Sequence, residues 1–434
     1  MFVVAAAWLC LLFPVVERAN YFFLRFHVGP GAIMASLFFY LVPLAALGTA
    51  PPLAAAALVA DPAGAGRVAG RVFGAATLGG VLGSVVAGAL LVPSFTNEVS
   101  LLIGALLALG VGVHGFCGAT ERGKAKVAVA VLGAALALLG IMGCQMQLQP
   151  RRGLGEQIAR HDSGHSLLLV VEDPESARRY LVDDFVLQNC YDPGLRASCA
   201  SFTHSLRALA LAYAGVPEKA LCVGLGIGVV PMELAADGAS VDAVEIHPGI
   251  LELAQSHFGF DPGKVNVTLA DGRGVLHARE GVYDVVILDA FSGDSSPSHL
   301  LTREAFADAR NALQPGGVLL LNCIASLEPG REAFVCSVKS TLEAVFPESV
   351  LHVSPGGNLF FVAGDAGLKA DFESALEQVD EAFRERVAQT FADRRGELAE
   401  SGVVMTDDFN PIEFLDAEYR AEEREKLAWL MYRD

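Results

Sequence analysis

The sequence predicts two parts: N-terminal transmembrane helices, then an α/β region with a small β-meander and a doubly wound, largely parallel sheet. Two observations point there. Residues 1 to 150 are almost uncharged and carry long apolar stretches, and from Lys219 onward strand-length apolar runs alternate with helical patterns. A third observation concerns the ends of those runs. KALCVGLGIGVVPMEL, VDAVEIHP, VTLADGRG and YDVVILDAF each stop on a glycine or a carboxylate, the residue types that meet a ligand at the carboxyl edge of a parallel sheet.

The hydrophobic content of 53% averages two different regions. Residues 1 to 150 hold seven Lys/Arg against four Asp/Glu, whereas residues 151 to 434 hold twenty-four against forty-five, so the second part carries the whole net charge of −18. So acidic a surface argues against nucleic acid and is compatible with a cationic small molecule.

Apolar stretches fall at 1 to 17, 31 to 60, 72 to 93, 99 to 118 and 125 to 145, about five helices within a 1 to 150 membrane segment. The first lacks a basic n-region and a small-residue cleavage site and ends at Glu17 and Arg18, which reads as a membrane helix rather than a secretory signal. An opening directly in apolar sequence also leaves room for a helix upstream. Pro51 and Pro52 are expected to break or kink the second stretch. Gly74, Gly79, Gly80, Gly83 and Gly88 in the third recur at spacings that let helices approach closely. Among ionisable residues only His114 lies well inside a span, which favours an anchor over an ion-coupled transporter.

Orientation signals conflict. Arg67, Arg71, Arg122, Lys124 and Lys126 favour a C-terminal region outside the cytoplasm, whereas Arg18, Arg25, Arg151 and Arg152 favour the reverse. A nucleoside-binding domain belongs where its cofactor is made, so the expectation is a multi-pass inner-membrane protein with its catalytic domain in the cytoplasm. Cys190 and Cys199 flank a loop and could pair if the domain faced an oxidising compartment.

After a linker at 151 to 160, alternating segments at His165 to Val171 and Arg179 to Leu187 predict a small β-domain over 160 to 195. Ser198 to Ala214 reads as a helix. Strands are expected at 219 to 223, 241 to 246, 265 to 269, 283 to 288, 317 to 323, 348 to 353 and 358 to 363, within a Rossmann-like domain of 196 to 365. Residues 366 to 434 form a charged extension with a helical pattern, interrupted by TDDFNP.

Gly224, Gly226 and Gly228 lie between strand and helix, where the backbone can turn sharply and let a ligand lie against it. Glu245 ends the second strand, where a carboxylate can accept both ribose hydroxyls. Asp271 and Gly272 suit the amino edge of adenine, although Asp271 could equally cap a short helix. Together these residues fit an S-adenosyl ligand better than a dinucleotide, and neither a P-loop nor a metal-ligand pattern is present. Asp289 closes the fourth strand, where a carboxylate can hold a cationic amine and take its proton. Asp294 could assist or form a turn, and Ser295, Ser296 and Pro297 suit a mobile cover.

The run from Leu221 to Asp289, DAFSGD with the following P-x-HLLT, and TDDFNP together resemble the spermidine synthase family, in particular bacterial members fused to a transmembrane segment. The resemblance covers residues 160 to 415. It implies a small β-domain, a seven-stranded methyltransferase-like sheet, and aminopropyl transfer from decarboxylated S-adenosylmethionine to putrescine. It also implies that Gln188 is a cofactor contact, Glu245 the ribose ligand, Asp271 the adenine contact and Asp289 the proton acceptor. Members of the family are commonly oligomeric. The chain departs from the family at Ile227, where an Asp holds the aminopropyl amine, and at Ser292, where a second Asp is usual. Phe202-Thr203-His204 only echoes the Tyr-His-Glu segment.

Three functions follow from these residues. One is an aminopropyltransferase acting on a small-molecule amine, anchored in the lipid bilayer. The second is a methyltransferase using intact S-adenosylmethionine, since Ile227 would not repel that cofactor's carboxylate. The third is a non-catalytic nucleoside- or polyamine-binding membrane protein.

Overall fold

A computed structural model describes residues 1–24, 26, 28–148, 155–163, 166–184, 186–291, 296–398 and 402–423, and its chain divides into two compact units.

The first unit is helical. It contains α1 (Phe2–Leu12), α2 (Val16–Leu24), α3 (Val28–Gly48), α4 (Ala50–Leu58), α5 (Ala65–Val86), α6 (Val92–Ser94), α7 (Asn97–Ala119) and α8 (Gly123–Leu148). Among the described residues, four stretches are long and apolar enough to cross a membrane, at 29–58, 62–94, 97–119 and 123–146, while Phe2–Val15 is shorter. The expected break falls at Thr49, and Pro51 and Pro52 then start α4, where a missing N–H costs nothing. A Cβ on Gly74, Gly79, Gly80, Gly83 or Gly88 would meet nothing within 4 Å, so the expected close approach is not made within this unit. It occurs at α7 and α8 instead. A Cβ on Gly112 would lie 2.8 Å from the Val3 backbone nitrogen, and one on Gly140 would lie 2.9 Å from the Cys10 sulfur.

The second unit opens with five strands, β1 (Glu156–Asp162), β2 (Leu167–Glu172), β3 (Arg179–Asp183), β4 (Val186–Asp192) and β5 (Ala197–Ser198), joined in sequential order. β1 starts inside the stretch expected to be a linker, because its residues are only partly buried and lack strong apolar alternation. α9 (Ser201–Ala214) follows and is buried along nearly its whole length.

The large sheet contains β6 (Lys219–Val223), β7 (Ser240–Glu245), β8 (Asn266–Leu269), β9 (Tyr283–Leu288), β10 (Leu313–Ile324), β11 (Glu348–Val353), β12 (Asn358–Gly364) and the two-residue β13 (Arg394–Arg395). Its order is β13-β11-β12-β10-β9-β6-β7-β8. The five strands from β8 to β10 run parallel, while β12, β11 and β13 pair antiparallel. The sheet is therefore mixed, and β13 makes it eight strands against the seven expected. The order of β6 to β12 is that of a methyltransferase-like α/β fold. Strand order reverses beside β6, so the crevice for a ligand opens at the carboxyl ends of β6 and β9.

Both faces are covered. α10 (Val229–Ala236) and α11 (Pro248–His257) join α9 on one face, and α12 (Gly272–His277), α13 (Arg303–Ala312) and α14 (Ala333–Glu343) cover the other. Alternation along β6 shows the division: Ala220 and Cys222 enter the first core, Leu221 and Val223 the second. The C-terminal region is less helical than its sequence pattern. After α15 (Phe372–Glu377) and α16 (Glu381–Ala392), which pack on α9, residues 402–411 have no regular structure before the short α17 (Ile412–Leu415). Met405 and Ile412 bury into the second core and hold this segment in place.

Phe306 is fully buried in that second core. Phe306→Ala should destabilise the α/β unit by about 3 to 5 kcal/mol, measured as a shift in its denaturant midpoint at unchanged slope.

Candidate functional site

The loop after β6 defines the site. Gly224, Gly226 and Gly228 all adopt positive φ, at 99°, 54° and 80°. Their roles differ: a Cβ on Gly224 would collide with the Asp289 carbonyl and one on Gly228 with the Phe260 ring, whereas the nearest atom to one on Gly226 is the Asn189 amide nitrogen at 4.0 Å. Gly224 and Gly228 let the protein pack against itself. Gly226 leaves backbone facing open space.

Glu245 is nearly buried and latches this loop. One carboxylate oxygen accepts the Leu225 N–H at 3.1 Å, and the other accepts the His247 N–H at 2.8 Å. Burial raises its pKa, opposed by these backbone donors. A carboxylate has about four acceptor directions, so its two oxygens are suited to accepting a hydroxyl as well. Ile246 follows with its side chain 54% exposed, a large apolar surface beside Glu245 suited to the face of a base.

Asp271 caps α12, accepting the Arg273 N–H at 2.8 Å and lying 3.2 Å from His299 Nε2. Partial burial opposes ionisation, but these hydrogen bonds and the charges of His299 and Arg273 hold its pKa below the usual range. Gly272 lies against Val223, where a Cβ would clash. Beyond Asp271 is an open polar basin of about 390 Å³ lined by Arg273, Ser298, His299, Thr302, Asp407 and Asn410. TDDFNP builds its far wall. Asp407 accepts from Thr302 Oγ1 at 2.6 Å and pairs with Arg273 at 3.1 Å, and Asn410 donates to the Ser298 carbonyl at 2.7 Å.

Asp289 lies just past the end of β9, partly buried. Its N–H donates to the Val223 carbonyl at 2.9 Å, and its Oδ1 accepts from Asn322 Nδ2 at 2.7 Å. Burial pushes its pKa up to about 6, against the lowering effect of Asn322. The carboxyl reaches a narrow cavity of about 20 Å³ bounded by the glycine loop, Asn189 and Thr203.

The structure thus brings Gly224, Gly226, Glu245 and Asp289 to one edge of the sheet. Asp294 and Ser295 lie outside the described residues. Asn189, the neighbour of Gln188, lines the cavity, and Gln188 itself sits at an irregularity in the pairing of β3 with β4. Ile227 is buried in the first core rather than facing the cavity. Thr203 reaches the cavity, while His204 stacks on Phe383 at 3.9 Å with its pKa lowered by burial. Sequence reasoning missed Asn189, Thr203 and Asn322. A lone Asn within the apolar run VLLLNCI was the available signal for the last.

A disulfide joins Cys190 to Cys199, tying β4, which carries Asn189, to the short segment between β5 and α9. No group of three or more His, Cys, Asp or Glu arranged for a metal ion occurs among the described residues.

The fold and this edge define a nucleoside-type α/β domain with a partly buried carboxyl at the switch point. Residues 201–354 match the profile of the spermine/spermidine synthase domain. It is 39% identical over 113 residues to a polyamine aminopropyltransferase of Vibrio vulnificus, covering 24% of this chain and 38% of that protein. It is 33% identical over 147 residues to the human eEF1A lysine and N-terminal methyltransferase, covering 30% of this chain and 20% of that protein. A probable spermidine synthase structure from Corynebacterium glutamicum aligns with 17% identity and a TM-score of 0.45, covering 56% of this chain and 97% of that one. The chain spans well under half the length of these two relatives by sequence.

Ionising Asp289 in its partly buried position costs stability, because its folded pKa of about 6 exceeds the ordinary 3.8. The carboxyl's stabilising contribution is complete below pH 3.8 and is lost as pH rises through about 6. Asp289→Asn should therefore raise unfolding free energy above pH 6 by about 2 to 3 kcal/mol and change it little below pH 4, as read from denaturation curves across pH.

Proposed function

We propose that the chain is an aminopropyltransferase of the spermidine synthase type, held in a lipid bilayer by its apolar helices and acting on a small-molecule amine. The observation that carries this reading is Asp289, a partly buried carboxyl at the switch point of the sheet, facing the cavity and with its pKa pushed up to about 6 by desolvation. A general base works best when its pKa lies near the operating pH, and Asp289 meets that condition. The V. vulnificus relative is named for this activity.

Under this reading, Glu245 takes the ribose hydroxyls of decarboxylated S-adenosylmethionine, Ile246 covers the base, Asp271 and Gly272 meet its amino edge, and Gly226 lies along the nucleoside. The acceptor amine attacks the aminopropyl carbon next to the sulfonium. A C–N bond forms, the C–S bond breaks with its electron pair going to sulfur, and Asp289 takes the proton released from nitrogen. Asp294 remains a proposed assistant.

A specific observation favours a second reading, methyl transfer from intact S-adenosylmethionine. Ile227 is buried where the family's amine-holding Asp would stand, and a methyltransferase is among the relatives. Calorimetry on the full chain in detergent separates the two. Tighter binding of the decarboxylated form supports aminopropyl transfer, tighter binding of the intact form supports methyl transfer, and binding of neither overturns both. With the preferred donor, Asp289→Asn should lower turnover about 10²- to 10⁴-fold while nucleoside affinity stays within a few-fold. Wild-type turnover by the variant would remove Asp289 from the mechanism.

Sidedness follows from the same proposal. Supply of a nucleoside co-substrate favours a cytoplasmic domain, while the Cys190–Cys199 disulfide favours an oxidising compartment. Alkylation of native membranes before and after reduction decides between them. Both thiols free before reduction supports the cytoplasmic placement, and thiols released only by reduction supports the opposite face.

A further inference from the structure

Asp289 does not stand alone at the sheet edge. Asn322 in β10, only 1% exposed, donates Nδ2 to Asp289 Oδ1 at 2.7 Å, and its own Oδ1 accepts Asn358 Nδ2 at 3.1 Å. Asn358 is the first residue of β12, paired with Ile324. Because β12 runs antiparallel to β10, its first residue falls at the carboxyl edge of the parallel strands, beside the groups that end β9 and β10. A tight turn pins it there: the Asn358 carbonyl accepts the Ser354 N–H at 2.9 Å, and Ser354 in turn accepts from Gly357 at 3.0 Å.

We propose that Asn358 is a positioning residue, which acts through Asn322 to fix the orientation of the Asp289 carboxylate and to keep a donor pointed at it. This rests on Asp289 being the proton acceptor, but the relay itself is a property of the folded chain. An amide can present either its oxygen or its NH₂ to a neighbour. Asn358 spends its NH₂ on the oxygen of Asn322, which leaves only the NH₂ of Asn322 to face Asp289. That arrangement favours the ionised carboxylate, the form a proton acceptor must have.

Among the described residues, the other groups around Asp289 do not supply this bias. From β6 the titratable neighbour is the buried Cys222 thiol, itself pushed up by burial and by Asp289. Asn189 from β4 and Thr203 from α9 bound the cavity without charge.

Asn358→Asp inverts the relay. A carboxylate at 358 accepts but cannot donate, so Asn322 turns its NH₂ toward it and its oxygen toward Asp289. Asn358→Leu removes the donor without adding charge, and Asn358→Gln restores it. The test is an infrared difference titration of the full chain in detergent, following the protonated-carboxyl band that vanishes in Asp289→Asn. The expected result is an upward shift of the Asp289 midpoint by about one unit or more in Asn358→Asp, about a fivefold loss of ionised carboxyl at the wild-type midpoint. A smaller upward shift is expected in Asn358→Leu and none in Asn358→Gln. A midpoint unmoved in Asn358→Leu, the variant least able to perturb the site by charge, overturns the relay. The readout needs no substrate, so a shift without any turnover would leave the relay standing and remove the transferase reading, whereas turnover without a shift would do the reverse.

Discussion

The contact between Gly224 and the backbone of Asp289 is the constraint on which the ligand edge depends. The two residues end adjacent parallel strands, and they approach so closely that no side chain fits on the first. This approach aligns the glycine loop with the fourth-strand carboxyl at the point where strand order reverses. Glu245 reinforces it from the other side by accepting N–H groups from the loop and from its own strand end. Three neighbouring strand ends are thereby joined by hydrogen bonds and close packing before any ligand arrives.

Electrostatics then distinguishes carboxyls that look alike in sequence. Asp271 is half-exposed, ringed by donors and held acidic, while Asp289 is less exposed, has one amide donor and has its pKa pushed up to about 6. Solvent and donor count separate the two, giving one group suited to hydrogen bonding and another suited to proton transfer. The remaining polar network supports these two sites. TDDFNP braces the loop after β9 through Thr302, Arg273 and Ser298, and the disulfide braces the strand that carries Asn189.

The large sheet was legible because its strands are short apolar runs that end on glycine or acid, and the start and end of most strands match the pattern. β1 was not, since its residues are partly buried and its periodicity is weak. The interruption of the C-terminal helical pattern at TDDFNP was legible, whereas the burial of Met405 and Ile412 in the second core, which anchors this irregular segment, was not. Asn189 was not legible because nothing in one strand says which of its residues meets a loop thirty-odd residues away.

From sequence alone the chain determined an apolar helical region, an alternating α/β region, the glycine loop, and the acids Glu245, Asp271 and Asp289 at strand ends. These follow from periodicity and residue chemistry, which are local. Only the tertiary structure decided that Gly226 rather than its partners faces open space, that Ile227 turns into the core, and that Asn322 and Asn358 line up on Asp289. Such facts depend on which strand ends become neighbours, and an antiparallel strand returning from the far end of the sheet places its first residue at a site that no local pattern can anticipate.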